Sequence, residues 1–208
     1  MADCLLLLNK CLKSQLNAED IISYNEENIK YTGWTDFPDY KLITHVVDLS
    51  AFSKSDFTSR CTSLLKLLVE SLKQRSLRKL VDSLGFNKKE TEGFRSLKLL
   101  ELILKYFYVS AESGLNASTD KEAIIERVVE VNEFKFLAPL FALNDIRQLD
   151  VHQTKEAKAK LENALAVFSI HPKTAAGNYA EACFQIYDRL IDMFTEVNLL
   201  LSAFYGLE

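Results

Sequence analysis

The stretch "SDFTSRCTSLLKLLVESL", residues 55–72, decides the fold class. Its apolar residues recur every three or four positions, which is the period of one face of an α-helix. They are Phe57, Cys61, Leu64, Leu65, Leu68 and Leu72. Ser55 and Asp56 are candidate N-cap residues, and the helical pattern continues to about Gly85. We therefore expect one long helix over residues 55–85.

The same period recurs in three further long stretches and in one short one. Gly114 ends the first of these, the capping box "TDKE" opens the short one, and Pro139 suits the first turn of the next. The predicted helices cover residues 91–112, 119–131, 139–170 and 175–204. This pattern predicts an all-α fold, an antiparallel bundle of four long helices with a short inserted helix and an N-terminal extension.

The extension is predicted to cover residues 1–53 and the bundle residues 54–206. The extension contains a short helix, a connector and the strand candidate "LITHVVDLS" at residues 42–50. It either covers the bundle, exchanges between subunits or belongs to a neighbouring domain of a larger protein. The final pair, residues 207–208, is typical of residues added during cloning.

Composition limits the classes of function. The 208 residues carry a net charge of −4, which argues against a protein that coats nucleic acid with its whole surface. Between residues 60 and 105, however, 11 Lys and Arg stand against 5 Asp and Glu. Four of these basic residues are candidates for an RNA-binding groove: Lys73, Arg75, Arg78 and Lys79. The alternative is that they form the solvated face of a helix.

Cofactor, metal and membrane motifs are not found in the sequence. The four Cys form no Cys-x-x-Cys pair, and no His stands at a zinc-site spacing from them. The N-terminal "MADCLLLLNKCLKSQL" has the character of neither a signal peptide nor a membrane span. We expect a cytoplasmic protein with reduced thiols, no cofactor and no bound metal.

One stretch contains a candidate active site: "LNDIRQLDVHQ", residues 143–153, in which Arg147 precedes His152 by five positions. On an ideal helix Asp145, Gln148 and His152 share a face. Arg147 and His152 lie about 140° apart, so in a straight helix they cannot hold the same phosphate. Either the helix bends here, or a second copy of the chain completes the pair.

These residues resemble the HEPN domain family. HEPN domains are all-α bundles of four or five helices, and their ribonuclease members carry an Arg-x4-6-His motif early in the penultimate long helix. Here Arg147-x4-His152 opens the predicted third long helix, and one further long helix follows it. The resemblance in helix arrangement covers residues 55–206, whereas the resemblance in residue identity is limited to the Arg and the His. Many members have Asn, Asp or His directly after the Arg, where this chain has Gln148.

The resemblance implies a metal-independent RNA endonuclease of toxin or antiviral defence systems, whose composite site forms across a homodimer. Arg147 would bind and stabilise the phosphate and His152 would transfer protons, with Asn144, Asp145 or Gln148 orienting them. An antitoxin or other protein is then an expected partner. The alternative is a non-catalytic module that dimerises or binds a partner within a larger protein. In that case Arg147 pairs with Asp150 on an ordinary exposed helix face.

Overall fold

A computed structural model describes residues 7, 12, 16–23, 52–131, 134–148, 155–172 and 178–206. The helices are α1 (Ala18–Ile21), α2 (Lys54–Leu65), a π-helical turn (Lys66–Glu70), α3 (Gln74–Leu84), α4 (Lys88–Thr91), α5 (Ser96–Ser113), α6 (Lys121–Glu130), α7 (Ala138–Gln148), α8 (Lys155–Val167) and α9 (Tyr179–Gly206). Strand-like pairing within these ranges is limited to one bridge, between Ile22 and Leu72. The prediction of an all-α fold is confirmed for this part of the chain. The strand candidate at residues 42–50 lies outside it.

The chain divides into two compact units, neither of them continuous in sequence. Unit 1 comprises Met1–Asn25, Ser71–Phe136 and Phe194–Glu208. Unit 2 comprises Glu26–Glu70 and Leu137–Met193. The four-helix bundle and the division between residues 53 and 54 remain predictions.

In unit 2, helix α2 starts with a capping box that lies two residues before the predicted cap. The backbone N–H of Asp56 donates to Ser53 Oγ (3.3 Å), and Asp56 Oδ2 accepts from the backbone N–H of Ser53 (2.9 Å). Helix α7 packs against both α2 and α8, and the Phe57 ring of α2 lies 5.8 Å from the Tyr179 ring of α9. Apolar side chains from all four helices are buried in this unit. They include Phe57, Cys61, Leu65, Leu140, Leu143, Ile146, Leu165, Phe168, Cys183, Ile186 and Leu190.

The predicted helix over residues 55–85 is wrong as one continuous element. It widens into the π turn, stops at Ser71 and resumes at Gln74. The backbone at this break bonds to distant residues instead of to its own helix. The carbonyl oxygen of Ser71 accepts from the backbone N–H of Ser23 (3.0 Å), and the N–H of Lys73 donates to the carbonyl of Ile21 (2.7 Å). These long-range bonds satisfy the backbone groups that the break leaves without helical partners.

The predicted helix over residues 139–170 is also wrong. Helices α7 and α8 pack against each other, so α8 lies beside α7 instead of continuing its axis. Helix α7 buries Leu143 and Ile146, and α8 buries Ala164 and Leu165. On one straight helix Leu143 and Leu165 would lie about 33 Å apart, whereas two adjacent helices bring both apolar segments into one core.

In unit 1, helix α5 contacts α3 and α6. Tyr106 of α5 is fully buried and its hydroxyl donates to the carbonyl of Ala117 (2.7 Å). Gly85 and Gly114 end α3 and α5 with φ of +99° and +65°, a conformation that favours glycine. Gly114 was predicted to end α5, and this is confirmed.

The capping box predicted at residues 119–122 is wrong. The residue before α6 is Asp120, and its side chain makes no capping bond to the helix. Its carboxylate instead accepts from the backbone N–H of Asn116 (2.9 Å) and from the hydroxyl of Thr119 (3.0 Å). The Thr119 hydroxyl, which the predicted capping box needs as a helix cap, therefore bonds to Asp120 instead.

We expect a buried thiol group with a raised pKa to make the protein less stable at alkaline pH. Burial raises the pKa of Cys183 from its ordinary value of 9.0 to about 11. Above pH 9.0 the unfolded chain releases this proton while the folded chain keeps it, so the free energy of unfolding falls as the pH rises. The stabilisation from the protonated Cys183 thiol is complete below pH 9.0 and is lost towards about pH 11. We expect the urea midpoint of Cys183→Ser, which has no thiol to ionise, to fall less steeply over this range. Identical slopes for the two proteins would contradict the assignment.

Candidate anion-binding site at the end of helix α7

Arg147 lies in the last turn of α7, close to the buried side of that helix. Leu143 and Ile146 are buried, with 0% and 4% of their surface exposed. Arg147 follows Leu143 by four positions and so lies at the edge of this buried side, about 40° from it, yet 43% of its side chain is exposed. A cation at the C-terminal end of a helix also interacts favourably with the helix dipole.

The partner of Arg147 is Glu70. Nη1 of Arg147 donates to Oε1 of Glu70, the last residue of the π turn, in a contact between residues 77 positions apart. The Glu70 side chain is 46% exposed, so the pair lies on the surface of unit 2. The sequence did not point to Glu70, since in a continuous helix over residues 55–85 it is only one of several charged surface residues.

The other predicted site residues divide into three groups. Asn144 and Asp145 lie in α7 and are partly buried, and Asn144 is one turn before Arg147 on the same side of the helix. Gln148 ends α7, but its side chain lies outside the described part of the chain. His152, and Asp150 of the alternative interpretation, also lie outside the described residues. The placement of Arg147 relative to His152 remains a prediction.

The packing of α7 beside α8 affects the angle expected between Arg147 and His152. The separation of about 140° between Arg147 and His152 holds only for a straight helix. Here the helix that contains Arg147 ends at Gln148, and the next described helix, which starts at Lys155, packs against it. One straight helix through the motif is thus excluded, and the separation of about 140° does not decide between a bend and a second copy of the chain.

The four basic residues that were predicted to bind RNA differ in their environments. Lys73, Arg75 and Lys79 have exposed side chains. Arg78 is partly buried, and its guanidinium donates to the carbonyls of Thr91 (2.9 Å), Glu92 (3.3 Å) and Phe94 (2.7 Å). These carbonyls lie at and just after the C-terminal end of α4, where helix carbonyls lack internal partners. Arg78 therefore connects α3 to the segment between α4 and α5, a structural contact that its position in the basic run did not indicate.

Thiol and phenol groups in the core of unit 2 have raised pKa values. Burial, then the proximity of Cys183, raises the pKa of Cys61 well above its ordinary value. Burial also raises the pKa of Tyr187, while the Arg60 guanidinium nearby lowers it and hydrogen-bonds to it. Both buried cysteines therefore stay protonated at neutral pH, a state that disfavours nucleophilic catalysis by either thiol.

No cluster of three or more His, Cys, Asp or Glu side chains able to hold a metal ion is present in the described part of the chain. None of the described helices is both long and apolar enough to cross a membrane.

No family model matches the chain, and neither a characterised protein nor a solved structure is significantly similar to it.

The contrast between Arg78 and its neighbours predicts different effects on stability. Arg78→Met removes three hydrogen bonds to carbonyl groups, although Thr91 and Phe94 each keep one other donor, and we expect it to lower the free energy of unfolding by about 1–3 kcal/mol. The exposed Arg75→Met is a matched control that removes the same group from the same helix, with an expected change within about 0.5 kcal/mol. Urea denaturation measures both. Equal effects of the two substitutions would contradict the structural role of Arg78.

Proposed function

We propose that this protein is a metal-independent RNA endonuclease of the HEPN type, with Arg147 and His152 as its catalytic residues. The observation that supports this most is the exposure of the Arg147 guanidinium at the end of α7. A phosphate group can approach it from solvent, whereas an Arg buried in the core of unit 2 would be closed to RNA. The HEPN resemblance of the motif supplies the reaction class.

The proposed chemistry needs proton transfer and stabilisation of charge, but no metal. A base removes the proton of the RNA 2′-hydroxyl, and the resulting oxygen attacks the adjacent phosphorus. The bond from phosphorus to the 5′-oxygen breaks, and that oxygen takes up a proton. His152 has the side chain whose ordinary pKa suits both proton transfers near neutrality. Arg147 stabilises the negative charge on the phosphate oxygens through its planar set of N–H donors.

The remaining parts of the proposal concern partners. Lys73, Arg75 and Lys79 provide exposed positive charge in unit 1, and we assign them to contacts with RNA phosphates. The composite site across a homodimer rests on the family resemblance alone, because α7 and α8 do not form one straight helix. A toxin or antiviral role in the cytoplasm, with an antitoxin as partner, rests on the same resemblance.

The proposal predicts RNA cleavage that persists in EDTA. We expect the wild-type protein to cut a labelled mixed-sequence RNA, and Arg147→Ala and His152→Ala to be at least about a hundredfold slower. A gel-based time course measures the rates. Circular dichroism spectra and urea midpoints show whether each variant keeps its fold. Since Arg147 forms only a surface ion pair with Glu70, its loss should change stability by about 1 kcal/mol or less.

Cleavage that stops in EDTA, or that both folded variants retain, would contradict the proposed site. If all three proteins are folded and inert on every RNA tested, the non-catalytic module is the better account.

Glu70 provides a second prediction, based on binding. Its carboxylate occupies one nitrogen of the Arg147 guanidinium and repels a phosphate that approaches the same group. We expect Glu70→Gln to bind a short RNA about two- to fivefold more tightly than wild type, and more so at low salt. Glu101→Gln is the matched control, because Glu101 forms a surface ion pair with Lys98 (2.7 Å) in unit 1. Fluorescence anisotropy with the His152→Ala background avoids cleavage during the measurement. An equal gain in both variants would show that only net charge matters.

A further inference from the structure

Exposed large apolar side chains are few in the described part of the chain, and most of them lie on one helix. They are Val129, Phe184, Ile191 and Leu199, with 70%, 48%, 62% and 66% of their surface exposed. The last three belong to α9. Within the part of α9 that belongs to unit 2, Phe184 and Ile191 are seven residues apart, and so lie on the same side of the helix within about 20°.

These two residues are separate from the apolar stripe that packs α9 into its unit. In this part of α9 the stripe is formed by Cys183, Ile186 and Leu190, and all three are buried. Phe184 and Ile191 lie on the opposite, solvent-facing side, where a surface helix ordinarily carries polar residues. They contribute nothing comparable to the core, so core packing does not account for them.

Carboxylates surround the apolar pair. Glu181, Asp188 and Asp192 are all exposed and lie on the same side of α9, with Asp188 one turn from both Phe184 and Ile191. The basic residue in this part of the helix, Arg189, is partly buried and lies about 140° from Phe184 and about 160° from Ile191, although it is one turn from Asp192. We call the five residues 181, 184, 188, 191 and 192 the α9 outer face. It combines an apolar centre with negative charge around it.

We propose that the α9 outer face binds a basic amphipathic helix of a partner protein. Apolar side chains of the partner would cover Phe184 and Ile191, and Lys or Arg beside them would pair with the three carboxylates. A second copy of the same face is a poor partner, because three carboxylates on each side would repel one another. RNA is repelled for the same reason. This proposal does not depend on nuclease activity.

The test uses the full chain and two synthetic helical peptides of about 20 residues, labelled with fluorescein. Both carry Leu at every a and d position of their heptads, flanked by Lys in one peptide and by Glu in the other. We expect the Lys peptide to bind and the Glu peptide to bind at least about tenfold more weakly, with Lys-peptide binding lost progressively from about 0.1 M to about 1 M salt. Fluorescence anisotropy measures both affinities.

Matched substitutions assign the binding to this face. Phe184→Ser with Ile191→Ser should weaken Lys-peptide binding about tenfold or more, and Asp188→Asn with Asp192→Asn should weaken it severalfold. Val129→Ser, an equally exposed apolar residue of α6, should leave it unchanged. Urea midpoints are expected to stay close to that of the wild type, since all these side chains are exposed.

Three results would overturn the proposal. One is equal binding of the Lys and Glu peptides, and another is a Val129→Ser effect as large as that of the Phe184 and Ile191 pair. The third comes from sedimentation equilibrium without peptide. A dimer that dissociates in the Phe184→Ser variant would assign the face to a second copy of the chain instead.

Discussion

The burial of Leu140, Leu143 and Ile146 fixes the rotation of α7, and the candidate site depends on that rotation. Each of these side chains has at most 4% of its surface exposed, so a turn of the helix about its axis would expose apolar surface. Arg147 lies at the edge of this buried side, within about 40° of Leu140 and Leu143, and from there its guanidinium reaches the surface and meets Glu70. The position of the cation therefore depends on core packing more than on the weak surface ion pair itself.

Hydrophobic periodicity predicted where helices occur but not where they stop. The period of α2, α5 and α9 comes from side chains that each helix buries, and it is visible in the sequence alone. The break at residues 71–73 is different, because neither Gly nor Pro marks it. It depends on backbone bonds from Ile21 and Ser23, about 50 positions away in sequence, and no local pattern contains that information. The separation of α7 from α8 likewise left no clear local signal, because Leu149, Ala157 and Leu161 keep apolar residues at helical spacing after Ile146.

The sequence likewise predicted only part of the candidate site. The identity of Arg147 came from a short motif, but its exposure did not follow from the apolar spacing before it, because Leu140 and Leu143 lie within about 40° of it on the helix. Glu70 was missed because its position depends on the π turn, and the structural contacts of Arg78 were missed because they are made to backbone carbonyls. A run of basic residues does not distinguish a side chain that binds carbonyls from one that is free for a nucleic acid.

The central claim is that Arg147 and His152 support attack by the RNA 2′-hydroxyl. The most direct measurement is the chemistry of the new ends produced from a defined RNA in EDTA, analysed by mass spectrometry. The account predicts a 2′,3′-cyclic phosphate on one fragment and a 5′-hydroxyl on the other, and no cleavage where the attacking nucleotide is 2′-deoxy. A 3′-hydroxyl with a 5′-phosphate, or cleavage at the 2′-deoxy position, would contradict it, because water and not the 2′-oxygen would then be the nucleophile.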